Sequence, residues 1–158
     1  MEIIKGLGVL GFWLWGAAAL AQTVDLELLA QPERAIAQGV ITADTPDQAR
    51  LTIPSFWWEH RQFGRPVVVN WLAYPQQQRV DLVVSRDLWS LIDYLEKYSL
   101  VNRFANAAGE YGYNLRVFND QQVLLATANC PTNQPCQVVL LRDIDRALPV
   151  NRRNRPLF

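Results

Sequence analysis

The stretch from Ser85 to Gly112 constrains this chain most, because it reads as helix throughout while its apolar side changes direction part-way. It has no proline, is rich in Leu, Ala, Glu and Arg, places Ser85 at an N-cap position with Asp87 in the first turn, and offers Gly109 as a left-handed stop. At about 100° per residue, Leu88, Leu91, Ile92 and Leu95 gather on one side and Val101, Phe104, Ala105 and Ala108 on nearly the opposite one. A straight rod with that pattern needs two cores. A break near Tyr98 to Leu100, with Ser99 capping a second helix, lets both stripes face one sheet.

The flanking segments supply that sheet. Pro66 to Tyr74 and Val80 to Val84 are β-branched and aromatic runs joined by the polar turn Pro75 to Arg79, which predicts a hairpin. Beyond the helical region, Tyr113 to Phe118, Val123 to Ala128 and Gln137 to Leu141 read as three further strands. The expectation is an α+β fold, ββ-α(α)-βββ, in which a five-stranded antiparallel sheet carries its helices on one face. From Pro66 to Leu141 this order of elements resembles the PAS, profilin and roadblock type of sheet, which implies the spatial strand order 2-1-5-4-3. Such sheets host many unrelated functions, so that likeness implies no site residue.

Ahead of the core domain, residues 22–65 read as an extension of short pieces that lean on it. Val24 to Leu28 alternates apolar and acidic residues, as a short strand or extended arm does. Pro32 to Gln38 forms two helical turns stopped by Gly39, and a capping box at Thr45 to Gln48 starts another short helix. Pro54 to Phe63 is a helix with Gly64 past its end.

Residues 1–21 have the layout of an export signal. Lys5 closes a short n-region, Gly6 to Leu20 is uncharged and apolar, and Ala19-Leu20-Ala21 is a small-x-small cleavage site. An uncleaved anchor is the alternative, since Ile3 to Ala21 is just long enough to span a bilayer. The G-x-G-x-x-G at Gly6 to Gly11 is a chance match, because no strand precedes it. Export agrees with the cysteine pair. Cys130 and Cys136 sit between two strand-like runs, and in an oxidising compartment they close a disulfide across a hairpin. Periplasm or the outside medium is the expected address, or the thylakoid lumen for a photosynthetic source.

The formal charge is zero, which with export disfavours nucleic acid as a partner. Its distribution is uneven. Residues 22–49 carry Asp25, Glu27, Glu33, Asp44 and Asp47 against Arg34, whereas the tail 142–158 carries five arginines against Asp143 and Asp145. Arg152, Arg153 and Arg155 make that tail a candidate contact for an acidic partner or an anionic membrane surface. The other candidate surface is the helix with Trp57, Trp58, His60 and Arg61. Adjacent tryptophans diverge by about 100° on a helix, so one of them belongs at an edge or on the surface.

Catalytic patterns are scarce. His60 is the one histidine, and its neighbour Glu59 diverges from it on a helix. Ser85 and Ser99 read as caps, and no serine lies in G-x-S-x-G. Neither a Walker loop nor a metal-ligand spacing occurs, so no cofactor and no metal is implied. Taken together, these features predict an exported, non-catalytic binding or accessory protein. The alternatives are a small hydrolase-like enzyme using His60 and a membrane-tethered structural protein that keeps residues 1–21. The runs LTIPSFWWEHRQFG, NWLAYP and DLWSLIDYLEKY through YGYNLRVFN resemble small exported proteins of cyanobacteria, a likeness that covers Leu51 to Cys130 and implies no activity.

Overall fold

A computed structural model describes residues 23–44, 54–64 and 66–141, the side chains of Pro54 and Ser55 excepted. The signal segment 1–21, the capping box at Thr45 and the tail with Arg152, Arg153 and Arg155 lie outside the described residues.

The fold is α+β, with six strands in one open sheet, side by side in chain order. They are β1 (Ile41–Thr42), β2 (Val68–Tyr74), β3 (Arg79–Val84), β4 (Asn114–Asn119), β5 (Leu124–Asn129) and β6 (Gln137–Leu140). Neighbours are antiparallel except β3 and β4, which run parallel from Arg79↔Asn114 to Val84↔Asn119. The sheet is therefore mixed, not antiparallel. Its order corrects 2-1-5-4-3, which would set the first strand of the core domain beside the last. The parallel register has a physical cause. It aligns Val80, Leu82 and Val84 with the apolar side of β4, and it sets the buried Asp81 opposite Arg116. A carboxylate at the centre of a sheet needs a cation, and this pairing supplies one.

Helices cover both faces rather than one. On the first face lie α3 (Pro54–Glu59), α4 (Arg86–Leu91) and α5 (Tyr94–Gly109), packed over Trp71, Leu82, Leu115 and Val117. On the second, α1 (Glu27–Ala30) and α2 (Pro32–Ala37) bring Leu28 and Ala35 onto Leu72, Val83 and Phe118. Val24 to Leu28 is thus no strand: Val24 lies in an irregular lead-in and Leu28 in α1, and both side chains are buried. Gly39 takes the expected left-handed conformation after α2, at φ 67°.

The helical crossover breaks earlier than its stripes suggest. Ser85 does cap α4, accepting from the Leu88 amide at 3.4 Å. The break falls at Ile92 and Asp93, where Asp93 Oδ1 accepts from the Glu96 amide at 2.8 Å and Glu96 Oε2 accepts from the Asp93 amide at 2.9 Å. That reciprocal cap outcompetes one at Ser99, which lies inside α5. From there α5 runs for 16 residues and buries Val101, Phe104, Ala105 and Ala108. The other stripe is not fully buried. Ile92 packs against the core, while Leu91 and Leu95 are 79% and 73% exposed.

Gly109 is helical, and Gly112 at φ +76° makes the left-handed turn into β4. Gly109 answers a different need. A Cβ there would come within 2.9 Å of Cys136 Sγ and 3.2 Å of Cys130 Cβ, so the bare backbone lets the end of α5 rest on the disulfide. Cys130 and Cys136 are bonded, closing the β5–β6 hairpin.

Candidate functional site

Proline starts α3, and at His60 the helix widens into a π turn, His60–Gly64. A π turn changes the angle between successive side chains and recurs where a helix must present residues in two directions. Phe56 points inward, fully buried, with its ring edge-on to Trp71 at 5.0 Å and to Phe104 at 5.3 Å. Trp57 is half-buried, edge-on to Trp71 at 4.8 Å, and its Nε1 donates to the Ala43 carbonyl at 2.9 Å. Trp58 turns outward, 54% exposed, against Phe63 at 5.3 Å. Gly64 closes the turn where a Cβ would strike Val68 Cβ at 3.0 Å and Phe104 Cζ at 3.2 Å.

The four residues singled out on this helix therefore do different things. Trp57 belongs to the sheet contact. His60 sets Nε2 3.3 Å from the Val68 carbonyl, to which it donates in the tautomer that carries the proton there, so its ring ties the π turn to β2. Trp58 and Arg61 are exposed. Sequence reasoning passes over Arg103, and it weighs Glu59 only as a neighbour that diverges from His60.

Arg103 of α5 organises the surface. Its guanidinium lies 3.8 Å over the Phe63 ring, and its Nη1 stands 3.8 Å from Glu59 Oε2. Two open grooves adjoin along α5 and share Ser99 and Arg103. The first, of about 430 Å³, has Phe63, Leu95, Leu100 and Phe104 for walls, with Glu96 at its edge. The second, of about 330 Å³, is polar, lined by Glu59, Asn102, Asn106 and Glu110. Burial raises the Glu59 carboxyl above its ordinary range; the Arg103 charge opposes that shift and the Glu110 charge adds to it.

The apolar groove opens onto a hydrophobic corner. Leu91 and Tyr94 flank the helix break, and Leu95 and Tyr98 follow within one turn; Tyr94 is 66% and Tyr98 41% exposed. A divergent apolar stripe is the signal for this corner in the sequence. Among the described residues no three His, Cys, Asp or Glu side chains form a group suited to a metal ion. No helix there is long and apolar enough to cross a membrane. Set against protein-family models, curated proteins and solved structures, the chain matches none.

Proposed function

We propose that this protein is an exported binding or accessory module that engages a protein partner through the face made by the π turn and the N-terminal half of α5. The observation that carries this reading is the concentration of exposed large apolar side chains there: Trp58, Phe63, Leu91, Tyr94, Leu95 and Tyr98. Each square ångström of apolar surface left in water forgoes about 25 cal/mol, and a cluster of such side chains beside a groove marks an interaction site more than a solvated face. The charges around it favour protein over lipid. Arg61, Lys97 and Arg103 interleave with Glu59, Glu96 and Glu110, a mixed rim of the kind found around protein interfaces, whereas an anionic bilayer selects basic residues alone. Export is supported by the bonded cysteine pair and by the apolar segment that ends at Ala19-Leu20-Ala21.

A photo-crosslinking residue placed at Leu95 tests the reading in cells of the source organism. One discrete adduct is expected there, and none from the same residue at Ile36, which is equally apolar and 64% exposed but lies on α2. Equal labelling at the two positions would overturn the assignment. Mass spectrometry of the native N-terminus tests export in the same material, with Gln22 as the expected first residue.

A further inference from the structure

The polar groove beside the apolar one has a chemical bias of its own. Glu59 and Glu110 put two carboxylates into its wall, and Ser99, Asn102 and Asn106 add neutral oxygen acceptors. It lies along the last turns of a 16-residue helix, whose C-terminal end is itself partially negative. Among the described residues the one cation in the wall is Arg103, which stacks on Phe63 and makes only a long ion pair, 3.8 Å, with Glu59 Oε2. That oxygen is buried and, among the described residues, has no hydrogen-bond donor closer than the Arg103 guanidinium at 3.8 Å. An under-satisfied carboxylate, a second carboxylate and the negative end of a helix meet at one groove of about 330 Å³, enough for the end of a long basic side chain.

Resting on the docking face described above, we propose that the partner segment carries a lysine or arginine that enters the Glu59–Glu110 groove while an apolar anchor fills the groove of Phe63, Leu95 and Leu100. The spacing between the two follows from the helix. From the middle of Leu95 to Leu100 to the middle of Asn102 to Glu110 is roughly eight residues, or about 12 Å at 1.5 Å per residue. An extended peptide covers that distance in about four residues at 3.3 Å each. The arrangement explains why Glu59 keeps a carboxyl in a partly buried wall: a bound cation replaces the water that burial removes.

Titration of the protein with the peptide Ac-Phe-Gly-Ser-Gly-Arg-NH2, followed by NMR at the Leu95 methyls and the Asn106 amide, tests this against Ac-Phe-Gly-Ser-Gly-Glu-NH2. The arginine peptide is expected to bind at least fivefold more tightly, and the preference to fall below twofold in the Glu59→Gln, Glu110→Gln double variant. If the two peptides shift Leu95 equally, or if the preference survives in the double variant, the cation assignment is wrong and the docking face stands. If neither peptide moves Leu95, the docking face is wrong and the cation assignment falls with it.

Discussion

Asp81, fully buried on β3, accepts two hydrogen bonds from Arg116 of β4, Nε to Oδ1 at 2.7 Å and Nη2 to Oδ2 at 2.6 Å. Arg79 adds a second cation at 3.1 Å. Removing the carboxylate leaves two guanidinium groups, each less than a fifth exposed, facing one another across the parallel junction. Asp81→Asn is expected to cost about 3–5 kcal/mol of stability, measured by urea denaturation. Asp81→Leu combined with Arg116→Met should recover much of that loss, since an apolar pair of similar volume needs no counter-charge.

Gly109 makes the second prediction. Gly109→Ala should be destabilising by about 1–3 kcal/mol although alanine is the better helix former, because its methyl meets the disulfide. In a Cys130→Ala, Cys136→Ala background, which removes both sulfurs but keeps the Cβ of residue 130 at 3.2 Å, the penalty should shrink. An unchanged penalty there would mean that the disulfide is not what Gly109 accommodates.

Glu59 sets a pH dependence whose sign can be worked out. Its folded carboxyl titrates above the ordinary value, chiefly through burial, so the charged form is disfavoured on folding. The stability associated with the neutral acid is present below the unfolded pKa and is lost as pH rises through the folded one. Glu59→Gln is therefore expected to raise Tm at neutral pH, and the gap between variant and parent should close as pH is lowered through the carboxylate range. Thermal scans across that range check it.

Leu95→Ser and Phe104→Ala separate the docking face from the core. Leu95 is 73% exposed, so its loss should change stability by less than about 0.5 kcal/mol while abolishing crosslinking of the partner from a photo-reactive residue placed at the neighbouring, exposed Tyr98. Phe104 is fully buried between Phe56 and the sheet and should cost about 3–5 kcal/mol.

Much of the architecture was legible in the sequence. The β2–β3 hairpin, the helical crossover, the Ser85 cap and the cysteine pair each rest on a local signal: a turn, a cap or a short sequence distance. The hairpin neighbours β2–β3, β4–β5 and β5–β6 were legible, but the β3–β4 junction was not, because alternation says which side chains share a face and not which strand lies next across the helical crossover; the match of Asp81 with Arg116 joins residues far apart in the chain. The break at Asp93 was written as Asp-x-x-Glu. A reading that buries every apolar stripe misses it and moves the break to Ser99, whereas Leu91 and Leu95 stay exposed. Of the candidate surface, Trp58 came from the sequence. Arg103 over Phe63 did not, since it requires the π turn to swing Phe63 toward α5.

Strands that stand in chain order have a kinetic consequence. The pairings β2–β3, β4–β5 and β5–β6 close over short connections, so the entropy of closing large loops falls on two junctions, β1–β2 across residues 43–67 and β3–β4 across residues 85–113. Of the two, only the β3–β4 junction joins the hairpin β2–β3 to the meander β4–β5–β6, so substitutions that weaken the contact of Leu82 with Val117 are expected to slow folding more than substitutions in β6.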